Sequence, residues 1–100
     1  MAGSEYLDVD PRFLRLRPVR SSGADPIKLV HQIAEYGDSM VEMPRLVVYR
    51  ASDGEPVIYD GVTRATRVAK LLPGRTVQVE VIGTLTSPAG LLPTVGDRLP

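Results

Sequence analysis

The sequence contains no cysteine and only one histidine, His31, among its 100 residues. The absence of cysteine excludes disulfide bonds, thiol catalysis and thiolate zinc sites. A single histidine also excludes a two-histidine catalytic pair or a Cys/His metal site built within one chain. The function must therefore depend on other side chains.

Net charge is absent too, because 12 Lys+Arg balance 12 Asp+Glu. The chain thus lacks the overall positive field that drives non-specific binding of nucleic acids. Any site for an anion must be local.

Long apolar runs are also missing. No stretch approaches the roughly 20 apolar residues that span a bilayer. The start, "MAGSEYLDVDP", has no basic segment followed by an apolar core. We therefore expect a cytoplasmic protein that makes no membrane contact, although a domain cut from a longer exported polypeptide would look the same.

A content of 43% hydrophobic residues suits one small domain. We predict a single domain over residues 1–86 and a C-terminal tail rich in proline and glycine over residues 87–100. The tail is expected to be ordered only if Leu91, Leu92 or Leu99 finds a groove.

Two helices and several strands are predicted. Asp25 and Pro26 begin a helix that runs to about Tyr36 and stops at Gly37. Its core-facing stripe is predicted to contain three residues at helical spacing, broadened by Leu29 and Ile33: Ile27, Val30 and Ala34.

The second half of the chain predicts a hairpin, a helix and a strand. Residues 45–59 have strand composition around an Asp-Gly turn, and a second helix follows up to Pro73-Gly74. The alternating "TVQVEV" is the next strand. We predict an α+β fold with a small mixed sheet, in which a right-handed parallel crossover joins "PVIY" to "VQVEV". Near the N-terminus, Phe13, Leu14 and Leu16 are available for the core.

The stretch "YDGVTRATRVAKLLPG", residues 59–74, carries the main functional signal. A helix start presents free N–H groups and a partial positive charge, which suits a phosphate. Gly61 allows close approach of a ligand, Thr63 adds a hydroxyl, and Arg64 and Arg67 are predicted to form a fork that reaches solvent or ligand. Alternatively, Asp60 is an ordinary helix cap and the arginines belong to a solvated face.

The same stretch resembles a turn of the ParB/sulfiredoxin-like domains, "I-x-D-G-x-x-R-x-x-A". Here the motif runs from Ile58 to Arg64 and Ala65, and its later alanine is displaced to Ala69. The likeness extends from about Arg17 to Ile82. It implies a ParB-like fold and nucleotide-phosphate binding by Gly61 and Arg64, with Arg20 as the upstream phosphate contact.

The resemblance has informative departures. Val62 stands where sulfiredoxins have their catalytic cysteine, so sulfinic acid reductase activity is excluded. Chromosome-partitioning ParB proteins have Gly-Glu-Arg-Arg where this chain has Gly61 to Arg64, which separates it from their CTP hydrolysis. The stretch "DGVTRATRVAKL" is also similar to sequences of compact ParB-like domains in bacterial polymorphic toxin systems. A nuclease or nucleotide-directed activity is generally inferred for those domains.

Other polar residues are weaker candidates for chemistry. Ser39 is a candidate phosphate donor, although a hydroxyl in a turn usually satisfies the local backbone. Asp60, Asp38 and His31 are the candidate catalytic residues, and Asp60 is the candidate ligand of Mg²⁺ beside a nucleotide, assisted by Asp38 or Glu42. Carboxylates in turns are usually caps, and a packed or partly exposed histidine is commoner than a general base.

The sequence therefore leaves two functions open. The first is a domain that binds a nucleotide or nucleic-acid phosphate at the Asp60-Gly61 helix start, with or without cleavage of a phosphoester. The second is a non-catalytic interaction module, such as a toxin-system partner or a homodimer, that uses the apolar C-terminal tail.

Overall fold

The computed structural model describes residues 5–100, so the first four residues of the predicted domain lie outside the described part. These residues form an α+β domain with four strands and two α-helices. The elements in chain order are β1 (Glu5–Val9), α1 (Pro26–Tyr36), β2 (Leu46–Arg50), β3 (Pro56–Asp60), α2 (Val62–Leu71) and β4 (Val77–Thr84). The predicted helices and hairpin are confirmed.

The strands form one mixed sheet in the order β1-β4-β2-β3. Strand β4 pairs antiparallel with β1 and parallel with β2, whereas β2 and β3 form the antiparallel hairpin. Helix α2 therefore connects β3 to a strand that runs in the opposite direction and lies beyond β2. The predicted parallel crossover between β3 and β4 is wrong, because β4 takes β2 as its parallel neighbour.

The main core lies between the sheet and α2. Alternate residues of the strands point to the helix, which presents four buried apolar residues of its own: Val62, Ala65, Val68 and Ala69. Leu14 and Leu16 are fully buried in the same cluster, whereas Phe13 is 65% exposed. Phe13, which the sequence made available for the core, is thus not a core residue.

Helix α1 is capped as predicted but is rotated relative to expectation. The Asp25 carboxylate accepts hydrogen bonds from the backbone N–H groups of Lys28 and Ile27, which lower its pKa. The predicted core stripe is wrong: Ile27 is 68% and Val30 63% exposed, and Ala34 is exposed too, while Leu29 is buried. Two apolar stripes adjoin on this helix, and the structure buries the one that contains Leu29.

The C-terminal segment packs against the body of the domain. Residue 15 bridges β3 on one side and residue 94 on the other, so residues 14–16 and 93–95 extend the sheet beyond β3. Ala89 and Val95 are buried. Leu99 packs against the main core, and Leu92 packs against a smaller cluster formed by Ala51, Val57 and Ala89. The condition for order of this segment is met by these leucines, whereas Leu91 is fully exposed.

Candidate functional site

The turn between β3 and α2 is built around Gly61. This residue is the N-cap of α2, and its φ of 114° lies in the left-handed region that disfavours other residues. A Cβ at this position would also overlap the Leu46 side chain. Asp60 is the last residue of β3 and does not cap the helix, so the proposed role of an ordinary cap is wrong.

The start of α2 retains its free donors. The first bond of the helical ladder joins the Ala65 N–H to the Gly61 carbonyl at 2.9 Å. The N–H groups of residues 62–64 precede that ladder, and no side chain caps them within residues 5–100. Free amides of this kind, with the helix dipole behind them, favour an anion.

Cations from three different elements surround these donors. Arg20 comes from the turn before α1, Lys28 from the first turns of α1 and Arg64 from α2. Together with Thr63, they line an open groove of about 280 Å³ whose only carboxylate is Asp60. We call this the phosphate groove. It has an excess of positive charge in a chain whose net charge is zero.

Arg64 points into the groove but has a local partner. Its Nη2 lies 3.2 Å from a carboxylate oxygen of Asp60, one helical turn away. The Arg64 side chain is 17% exposed and that of Asp60 68% exposed. Ion pairs of this exposed type contribute only about 0.3 to 0.5 kcal/mol. A stronger anion can therefore take the place of Asp60.

Arg67 faces the protein interior and is only 2% exposed. Its guanidinium donates to the carbonyl oxygens of Gly37 at 2.9 Å and Ser39 at 2.7 Å, where α1 ends. Burial lowers the pKa of Arg67, although Tyr36 and Asp38 act in the opposite direction. The prediction that both arginines reach solvent is wrong for Arg67, because the C-terminal carbonyls of α1 lie above its position on α2.

A second depression adjoins the phosphate groove. This cavity, of about 180 Å³, lies between α1, α2 and the loop of residues 39–44. Gln32 and Arg64 line both spaces, whereas Arg67 and Ser39 line only the cavity. We call it the Arg67 cavity. The Ser39 hydroxyl accepts a hydrogen bond from the Val41 N–H at 3.2 Å, which is the local turn role considered for it.

The candidate catalytic residues are dispersed. Asp60 lines the phosphate groove, Glu42 lines the Arg67 cavity, and Asp38 lines neither. His31 is exposed on α1, in a shallow depression that also includes Thr63. Within residues 5–100, no three His, Asp or Glu side chains form a group that could hold a metal ion.

Two groove residues were missed by sequence reasoning, Lys28 and Gln32. Both lie on α1, and their i, i+4 spacing places them on one side of that helix. The sequence shows that they are neighbours, but only the packing of α1 against α2 brings them to Arg64. No local motif indicates that contact.

The arginine-rich stretch of residues 12–20 does not form one basic strip. Arg12 pairs with Asp10 at 2.9 Å and Arg15 with Glu55 at 2.7 Å. Arg17 stacks on the ring of Tyr59. Only Arg20 joins the phosphate groove.

Comparisons of this chain with protein-family models, with curated proteins and with solved structures yielded no match. Its fold and groove must therefore be interpreted from their own geometry. Among residues 5–100, the helices are too short and too polar for any of them to cross a membrane.

Proposed function

We propose that this domain binds a phosphate group of a nucleotide or nucleic acid in the phosphate groove. The observation that carries the proposal is the convergence of Arg20, Lys28 and Arg64 on the uncapped helix start at Gly61. Arg64 is far from the other two in sequence, and all three residues come from separate elements. Basic residues that only contact solvent would not be expected to converge on one helix start.

The chemistry of the groove favours a phosphate. Backbone amides at a helix start donate in a fixed direction, and a guanidinium adds two parallel donors that match phosphate oxygens. Thr63 adds a hydroxyl at the second position of α2. Charge-assisted hydrogen bonds contribute about 1.5 to 3 kcal/mol each, so three or four support micromolar binding after the costs of association.

The resemblance to ParB/sulfiredoxin-like domains supports the same ligand class. Gly61 and Arg64 occupy the positions of the Gly-x-x-Arg turn, and Arg20 borders the same groove. We include membership of that fold group, and a nucleotide as the ligand, in the proposal. Cleavage of a phosphoester is its catalytic extension, with Asp60 as the carboxylate nearest to a metal-bound phosphate.

Calorimetric titration tests the binding proposal. ATP, CTP, GTP and a short single-stranded oligonucleotide are titrated into the protein and into its Arg64→Gln variant. Arg75→Gln is the matched control. It removes the same charge, but Arg75 is exposed and lies beyond the far end of α2. We expect binding that Arg64→Gln weakens and Arg75→Gln preserves. Absence of heat for every nucleotide and for the oligonucleotide would overturn the proposal.

The catalytic extension needs a separate assay. The protein is incubated with DNA, RNA and nucleoside triphosphates in the presence of Mg²⁺ or Mn²⁺. Cleavage that is lost in Asp60→Asn would support it. Activity that Asp60→Asn leaves unchanged would assign any cleavage to other residues.

An interaction module is the second candidate, and the exposed stripe of α1 favours it. Ile27 and Val30 are each more than half exposed, and Ala34 continues the stripe. Apolar stripes of this kind often mark contacts between proteins. If the partner is a second copy, light scattering after size exclusion should show a larger mass that Val30→Glu reduces to that of a monomer. A monomeric mass for the unaltered protein would remove the homodimer.

A further inference from the structure

The Arg67 cavity has features that the phosphate groove does not explain. It lies beside the groove and shares Arg64 and Gln32 with it, but Gly61, Arg20 and Lys28 do not line it. Its own residues include a buried arginine and several apolar groups.

Arg67 brings a buried positive charge without a carboxylate partner. The ion pairs within 4 Å among residues 5–100 involve Arg12, Arg15, Arg50 and Arg64, and none involves Arg67. Buried charges are normally paired, because leaving water costs them solvation. The carbonyl groups at the end of α1 and the Tyr36 ring, whose centroid lies 5.5 Å from Arg67 Cζ, compensate only in part, since neither carries a full negative charge.

Two hydrogen-bond donors that line this cavity lack a strong partner. The Nη1 and Nε groups of Arg67 have carbonyl or amide oxygen partners. The contact of its Nη2 is the Met43 sulfur at 3.3 Å, and a thioether is a weak acceptor. The Ser39 hydroxyl accepts one bond and keeps its proton for another partner. Both donors can therefore donate to an oxyanion in the cavity.

The remaining wall is apolar and of limited size. Tyr36, Val41, Met43 and Pro44 line the cavity, whose volume is about 180 Å³. An apolar cavity of about 150 Å³ holds a benzene molecule. The available space therefore fits one ring beside the charged group.

We propose that the Arg67 cavity binds a small organic oxyanion with one ring-sized apolar part, its charged group directed to Arg67 and Ser39. The apolar part lies against Tyr36 and Met43. The site is distinct from the phosphate groove, although Arg64 lines both. Carboxylates and phosphate monoesters share the necessary chemistry.

Glu42 provides a way to test the charge of the ligand. It lines the cavity and is exposed, so its carboxylate repels a bound anion. Glu35 is an exposed carboxylate on α1 that borders a different depression. Glu42→Gln and Glu35→Gln remove the same charge, but only the first does so at the cavity.

The experiment is an NMR titration of protein labelled at the methionine methyl groups and at the backbone amides. The probes are benzoate, phenyl phosphate and the neutral analogue benzamide. We expect benzoate and phenyl phosphate to shift the Met43 methyl signal with dissociation constants near about 1 mM. Benzamide should bind about tenfold more weakly, because it forms no charge-assisted hydrogen bond. Glu42→Gln should tighten binding of benzoate, and Glu35→Gln should not.

Two further measurements separate the cavity from the groove and from global unfolding. Inorganic phosphate should shift the amide of Thr63 in the groove, whereas benzoate should act mainly at Met43. Arg67→Lys, if its amide spectrum is that of a folded protein, should bind benzoate more weakly; if it does not fold, the pair of glutamate variants decides.

The proposal is overturned by any of three results: no saturable shift of Met43, equal affinity for benzamide and benzoate, or equal responses of the two glutamate variants. If the groove proposal fails, the Thr63 amide signal will not shift when inorganic phosphate is added. That result does not affect the three outcomes above.

Discussion

The pair between Asp60 and Arg64 gives the sharpest test of the phosphate groove. If Asp60 merely occupies Arg64 until a phosphate arrives, removal of its charge should strengthen phosphate binding. Asp60→Asn keeps the size of the side chain and removes that charge. Arg64→Gln removes the cation and should weaken binding.

The magnitudes follow from the geometry of the pair. Its 3.2 Å contact and the 68% exposure of Asp60 limit its strength to about 0.5 kcal/mol. A carboxylate in water about 4 Å from a phosphate adds repulsion of about 1 kcal/mol. Asp60→Asn should therefore tighten binding by about 1.5 kcal/mol, or roughly tenfold. Arg64→Gln removes a charge-assisted hydrogen bond to phosphate worth about 1.5 to 3 kcal/mol. It also removes the Asp60–Arg64 pair that competes with binding, so the net loss of binding free energy is about 1 to 2.5 kcal/mol.

Calorimetry with inorganic phosphate and with a nucleoside triphosphate, without divalent metal, measures both variants. Repetition at low and high salt checks that the effects of these exposed charges are screened. If Asp60→Asn weakens metal-free binding or leaves it unchanged, the exchange of Asp60 for phosphate is refuted. If only the Mg²⁺ complex is weakened by Asp60→Asn, Asp60 is a metal ligand instead.

Three further predictions concern stability. Gly61→Ala should destabilise the fold by roughly 2 to 4 kcal/mol in urea unfolding, because the left-handed backbone and the overlap with Leu46 both oppose a Cβ. Burial raises the pKa of Asp53, but backbone N–H donors from the C-terminal segment outweigh it, so the pKa is lowered overall. Its contribution to stability should be present above the ordinary carboxyl pKa and be lost as the pH falls through the lowered value, and Asp53→Asn should flatten this acid dependence of the melting temperature. Deletion of residues 87–100 should lower the melting temperature markedly, since it removes buried residues and the outermost bridge of the sheet.

Each of these has a simple control. Gly54→Ala tests the strain of a positive φ where no atom lies near the new Cβ, so it should cost less than Gly61→Ala. Glu35→Gln removes an exposed carboxylate elsewhere and should leave the acid dependence in place. Equal costs for the two glycine variants, an unchanged acid profile for Asp53→Asn, or a truncated chain as stable as the full one would contradict the respective argument.

Local sequence signals predicted the elements well. Asp25 and Pro26 begin α1, Gly37 ends it, and the Asp-Gly turn within residues 51–55 joins β2 to β3. The alternation of Val77 and Val79 with polar residues gave the buried side of β4. These signals act over a few residues and depend on backbone conformation and side-chain period.

Sequence signals for the packing between elements were weaker. The wrong predictions, on the buried side of α1 and on the neighbour of β4, concern that packing. The apolar pattern of α1 contains two adjoining stripes, and only the tertiary structure decides that Leu29 is buried and Ile27 exposed. The direction of β4 depends on its pairing with β2, which no turn residue encodes.

The sequence by itself determined two helices, the first of them capped by Asp25, a hairpin, and a glycine turn that leads into Arg64. The tertiary structure decided that Arg20 and Lys28 join that turn and that Arg67 is buried against the end of α1. The reason is physical: caps, turns and periods are set by neighbours along the chain, whereas convergence of charges is set by the packing of elements distant in sequence.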